Sequence, residues 1–123
     1  MEDVQIQLAA VWVALMLTYL LGDVLRIFSG DFTVGEIGGV RATPMVWMGA
    51  ALLMLVPIAM VVASVMLAGA PARLAHLVAT VGLFGLNLIG LPGYPGLYDR
   101  FLIVVGLAIN VLIFWTAWNW QTP

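Results

Sequence analysis

Two ionisable side chains stand where an apolar run ends. Asp23 and Arg26 close the stretch that begins at Val4, and they are three residues apart. On a helix that spacing puts both on one face, so an acid and a base can pair there where water is scarce. Tyr19 stands one turn earlier on the same face. Such a group has two kinds of use. As a structural clasp, Asp23 pairs with Arg26 or with Arg100 and holds helices together. As a site, Asp23 is a proton acceptor or cation site, and Arg26 or Arg100 holds an anionic head group. A paired Asp stays ionised, whereas a buried unpaired one is pushed toward its neutral form. Asn87 and Asn110 are placed to orient a ligand by hydrogen bonds, and Tyr98 and Asp99 adjoin Arg100.

The elements that must carry these groups follow from composition. A soluble domain is about 25% charged, whereas this chain is 8% charged and 64% hydrophobic. So little charge cannot cover a globular surface. The charges fall at Glu2, Asp3, Asp23, Arg26, Asp31, Glu36, Arg41, Arg73, Asp99 and Arg100, leaving uncharged runs at 4–22, 42–72, 74–98 and 101–123. A helix needs about 20 apolar residues to cross a bilayer core, and each run is long enough or nearly so. The expected fold is all-α: one integral membrane domain over 1–123, a four-helix bundle running up-down-up-down. Its spans are expected at about 4–28, 44–68, 72–91 and 97–118, with one longer loop between the first two. The acidic start and the length of the first run argue against a cleaved signal peptide.

Span 1 carries a stripe at steps of three and four: Gln5, Leu8, Trp12, Met16, Tyr19, Asp23, Arg26. This face is expected to look into the bundle. The loop at 29–44 is rich in Gly and ends in Pro, yet keeps Phe32, Val34, Ile37 and Val40. It reads as an interfacial loop, or as a lid with Glu36 reaching in. Pro44 suits the first turn of span 2, Trp47 suits an interface, and Pro57 is expected to kink the span. Ala59/Ala63 and Ser64/Ala68 are small-residue pairs that favour close helix approach. Gly69 and Pro71 make a tight turn, so spans 2 and 3 are expected to form an antiparallel hairpin. Arg73 and His76 fall in the first turn of span 3, and His76 reads as an interfacial residue. Pro92, Gly93, Tyr94, Pro95 and Gly96 make a rigid connector. In span 4, Asp99, Ile103, Gly106, Asn110 and Ala117 form a small and polar stripe, with Asn110 about 14 Å along the helix from Phe101. Trp115, Trp118 and Trp120 make an aromatic belt at the far end.

Up-down-up-down topology puts both termini on one side. The opposite side then gathers Tyr19, Asp23, Arg26, Glu36, Arg41, Asn87, Tyr94, Tyr98, Asp99 and Arg100, against Glu2, Asp3, Arg73 and His76 on the terminal side. Counting Arg, the positive-inside rule puts the termini outside. If Arg26 and Arg100 are held in internal pairs, that count becomes even, so the orientation is left open. The absence of Cys and Lys and the single His exclude disulfides, Fe–S clusters, thiolate zinc sites, bis-histidine haem, Schiff bases and P-loops. A net charge of −2 with scattered Arg gives no nucleic-acid surface. No cofactor and no metal are expected.

Three segments, VWVALMLTYLLGDVL at 11–25, PIAMVVASVMLAGAPARLAHLVA at 57–79 and YDRFLIVVGLAINVLIFWTAW at 98–118, resemble a bacterial family of small four-helix membrane proteins of unknown function, similar to DoxX-like proteins in size and hydropathy. In that family an acid closing the first span and a Trp-rich end of the last span recur, and Asp23 and Trp115/Trp118 match them. The turn at 69–73 is less basic here than in that family, where it implies cytoplasmic termini. The resemblance implies a multi-pass protein of the bacterial inner membrane and no particular activity.

Three functions fit these residues. The first is a binding or accessory bundle that holds a lipid-like small molecule, such as a lipid or quinone, or a partner membrane protein, through the polar cluster near Asp23. Many aromatics and seven Met suit adaptable packing. The second is a small homo-oligomeric transporter or channel coupled to protons or ions. Small multidrug exporters of similar length carry a Glu in the middle of the first span, where this chain has Met16 and Leu17. The third is a membrane enzyme. Its acid–base candidates are Asp23, Tyr19, His76 and Asp99, and His76 falls on the other side of the bilayer, so no catalytic residue is assigned.

Overall fold

The computed structural model describes residues 2–31, 33–37, 40–93 and 96–120. The expected groups Phe32, Tyr94 and Pro95 lie outside them. Four helices long and apolar enough to cross a membrane make up most of the chain, in an all-α four-helix bundle.

Each helix boundary has a local cause. Helix α1 (Asp3–Ser29) starts with a capping box, in which the Glu2 backbone N–H donates to Gln5 Oε1 at 2.8 Å and the Glu2 side chain accepts from the Gln5 N–H. These bonds satisfy donors that a helix start leaves unpaired. It ends at Gly30, whose φ of 83° is the left-handed cap that glycine adopts without strain. Helix α2 (Pro44–Met66) begins where Thr43 Oγ1 accepts from the Val46 N–H at 3.3 Å and Pro44 fills the first turn. It continues through the buried Pro57. Helix α3 (Ala70–Gly90) follows Gly69, which has φ 82°, and runs into a short 3-10 turn, Leu91–Gly93. Helix α4 (Leu97–Trp118) completes the bundle.

The loop between α1 and α2 has more order than its Gly content implies. Strands β1 (Glu36–Ile37) and β2 (Val40–Arg41) pair antiparallel, Glu36 opposite Arg41 and Ile37 opposite Val40. The pairing sets an acid opposite a base at the open end of the ribbon.

Packing around the bundle is uneven. Helix α1 packs on α2 and on α4, and α3 packs on α4, but α2 and α3 touch little. The expected hairpin of the second and third helices is therefore a neighbour in sequence more than in space. The buried faces explain this. On α3 the face is Ala72, His76, Thr80 and Leu83, and its His76 meets Trp12 of α1. On α2 only Pro57, Met60 and Ser64 are buried, and Ala59, of the small-residue pairs, is exposed. The α1 stripe drifts by one residue from the expected one: Leu15 and Gly22 are buried where Met16 and Asp23 were expected. The core of Leu8, Trp12, Leu15, Ile113, Ala117 and Trp120 sits in the half nearer the termini.

Candidate functional site

The half of the bundle away from the termini is polar inside. Arg26 stands between two carboxylates. Its Nη1 donates to Asp99 Oδ1 at 2.9 Å, and its Nη2 pairs with Asp23 Oδ1. The two acids differ in setting: the Asp23 side chain is 48% exposed and the Asp99 side chain 2%. The buried partner of Arg26 is thus on α4, not on its own helix. Gly22, one turn before Arg26, lies beside this pair. A Cβ there would lie 3.8 Å from Leu102, 3.9 Å from Arg26 Nη1 and 4.0 Å from Asp99 Oδ1, ordinary contact distances.

One turn deeper, the Tyr19 hydroxyl joins three helices. It accepts from Asn87 Nδ2 of α3 at 2.7 Å and from Asn110 Nδ2 of α4 at 3.3 Å. Each Asn also donates to the carbonyl one turn back, Asn87 to Leu83 at 2.9 Å and Asn110 to Gly106 at 3.1 Å. Gly106 lets the ring lie against α4, since a Cβ there would stand 3.4 Å from Tyr19 Cε1. At the outer end, Tyr98 donates to Asp31 Oδ2 at 2.5 Å and shares a 2.7 Å hydrogen bond with Ser29 Oγ. This ties the end of α1 to the start of α4. Arg100 is exposed.

These groups border a cavity of about 170 Å³. Tyr19, Gly22, Asp23 and Arg26 of α1, Asn87 of α3 and Asp99 of α4 contribute its polar part, and Leu53, Met54, Leu83, Leu86, Leu102 and Ile103 its apolar part. All four helices therefore contribute. Leu53 is 43% and Leu86 54% exposed, so the cavity reaches the outer surface on the side where α2 and α3 touch little. Two buried polar atoms accept no hydrogen bond among the described residues, Asp99 Oδ2 and Asn110 Oδ1. Of the eight residues singled out from the sequence, Tyr19, Asp23, Arg26, Asn87 and Asp99 meet at this cavity. Asn110 reaches it through Tyr19, Tyr98 stands at the outer clasp, and Arg100 does not line it. Glu36 does not line it either, so the lid reading finds no contact there.

The terminal half holds a second polar group that the sequence reading missed. His76 faces the bundle interior: it is 1% exposed, and its Nδ1 accepts from Trp12 Nε1 at 3.0 Å. It lies between the rings of Trp12 and Trp120, with centroids 6.3 and 6.2 Å away. Trp120 in turn donates to Glu2 Oε2 at 3.1 Å, and Arg73 donates to the Ala117 and Trp118 carbonyls. Two helical stripes could have revealed it, since Ala72, His76, Thr80, Leu83 and Asn87 follow steps of four and three, as Trp12 does on α1. Among the described residues no three His, Cys, Asp or Glu side chains group as a metal site.

A family model, that of a family of unknown function (DUF6326), matches residues 1–123. No curated protein and no solved structure matches the chain.

Proposed function

The chain belongs to a family of unknown function, DUF6326, and from its own side chains we propose a multi-pass membrane protein that binds a lipid-like molecule in the cavity beside Arg26. The observation that carries the reading is that cavity, lined by polar side chains of α1, α3 and α4 together with apolar ones of α2, α3 and α4, and so bordered by residues of all four helices. Intramembrane ionisable groups are functional candidates because their burial is costly. A clasp alone needs a tight ion pair and no adjoining space. Here the pair borders about 170 Å³, somewhat more than an engineered cavity of about 150 Å³ that holds benzene. That volume suits a polar head and not a whole lipid. The tail leaves between α2 and α3, past Leu53 and Leu86, where packing is sparse. The setting we propose is a bacterial inner membrane, on the resemblance of the three segments given above.

The test fills the cavity beside the ion pair and keeps both of its partners. Gly22→Ala adds a methyl at ordinary contact distance, whereas Gly22→Val extends into the space. In native mass spectrometry from a mild detergent, wild type and Gly22→Ala are expected to carry an amphiphile at about one per chain. Gly22→Val, folded by circular dichroism, is expected to lose most of it. Equal adducts on all three proteins, or none on wild type, would contradict the proposal.

A further inference from the structure

The proposed binding site has a charge of definite sign. Its ion-paired wall comprises two carboxylates, Asp23 and Asp99, and one guanidinium, Arg26, a formal excess of one negative charge. Asp23 is half-exposed, so solvent or head groups can screen it. Asp99 is 1% exposed. Its Oδ1 is taken by Arg26, while Oδ2 is buried and accepts no hydrogen bond among the described residues. A buried acceptor left without a donor is costly, and more so when charged. Asp99 is among the residues that line the cavity, so a ligand head there adjoins this residue.

We infer that the ligand of this cavity carries a primary or secondary ammonium head, which gives the missing positive charge and donates an N–H to Asp99 Oδ2. The inference rests on the reading of the cavity as a binding site and adds the chemical class. A hydroxyl head supplies the donor without the charge. A quaternary ammonium supplies the charge without the donor. An anionic head meets a wall whose formal charge is already negative. The small volume admits the head and the first carbons, and the alkyl chain follows the gap between α2 and α3.

Four probes with the same tail separate these heads: decylamine, decyltrimethylammonium, decanol and decyl sulfate. Each is titrated calorimetrically onto the full chain in phosphatidylcholine nanodiscs, and onto Gly22→Val to subtract partition into lipid. Decylamine is expected to bind wild type at least about tenfold more tightly than the other three, the scale of one hydrogen bond to a charged group. Asp99→Asn keeps the size of the side chain and is expected to abolish that preference while leaving decanol binding in place. Should Asp99→Asn fail to fold, Asp23→Asn keeps the Arg26–Asp99 contact but removes the excess negative charge, and is expected to weaken decylamine and decyltrimethylammonium while leaving decanol binding in place; unchanged decylamine binding would overturn the role of the charge. Equal binding of decyltrimethylammonium would overturn the hydrogen bond to Oδ2. Preference for decanol or decyl sulfate, with binding still lost in Gly22→Val, would overturn the ammonium head and leave the cavity reading standing. No probe binding that depends on the cavity would overturn both.

Discussion

Asp23 and Asp99 contact the same guanidinium and should differ in what they contribute. Removing one partner of a buried pair leaves an uncompensated charge and costs about 3–5 kcal/mol, whereas exposed pairs contribute about 0–1 kcal/mol. Arg26 keeps Asp23 when Asp99 is lost, so Asp99→Asn is expected to cost about 2–3 kcal/mol, and Asp23→Asn under about 1 kcal/mol. Thermal unfolding in detergent measures both, and a larger loss for Asp23→Asn would reverse the assignment of the buried partner. Tyr19→Phe removes the acceptor shared by Asn87 and Asn110 while each keeps its bond one turn back. Interhelical hydrogen bonds in membranes average about 0.6 kcal/mol, so a loss of about 1 kcal/mol in the same assay is expected. The sequence made the side of the cluster legible, because topology alone brings Tyr19, Asp23, Asn87 and Asp99 to one end. It did not reveal which acid is buried. Asp23 sits one position off the buried stripe of α1, beside Gly22, and a stripe read in steps of three and four tolerates that drift. His76 shows the same limit: depth along the helix suggested an interface, while the face it occupies, toward Trp12, decided its burial.

At the scale of elements, four helices were legible because four runs lack charge and Pro44, Gly69 and Pro71 punctuate them. Pair packing was not legible. A short turn between α2 and α3 implies antiparallel neighbours, but it says nothing about how closely they approach. That depends on which faces hold groups needing partners, and on α3 those groups find Trp12 and Tyr19 of α1. Helix α2 has few buried residues and packs mainly on α1, so it is the element expected to shift when the cavity fills. The chain has no Cys, which makes paired spin labels simple to introduce. Leu53→Cys with Leu86→Cys reports across the α2–α3 gap, and Leu20→Cys with Val104→Cys across the tight α1–α4 contact. The first pair is expected to give a broad distance distribution that narrows on saturation with decylamine, and the second a narrow one throughout. Two equally narrow distributions without ligand would mean that the gap is fixed and does not respond to it.

For the whole molecule, the polarity of the interior divides the bundle. Near the termini, Leu8, Trp12, Leu15, Ile113 and Ala117 make an apolar core beside the Trp12–His76–Trp120 cluster. Away from them, the ion pair and the Tyr19 hydroxyl border open space. Composition made the four-helix class legible, since 8% charge leaves no other way to bury so much apolar surface. The meeting of the polar groups at one cavity was not, because it arises from side chains on four helices at once. The most direct measurement is photocrosslinking with an alkyl amine carrying a diazirine in its chain a few carbons from the nitrogen, on the wild-type chain in nanodiscs, mapped by peptide mass spectrometry. Labels concentrated on Leu53, Met54, Leu86 and Leu102, and competed away by decylamine, are the predicted result. Labels spread over outward-facing residues such as Ile89 and Phe101, with no competition, would contradict a ligand in this cavity.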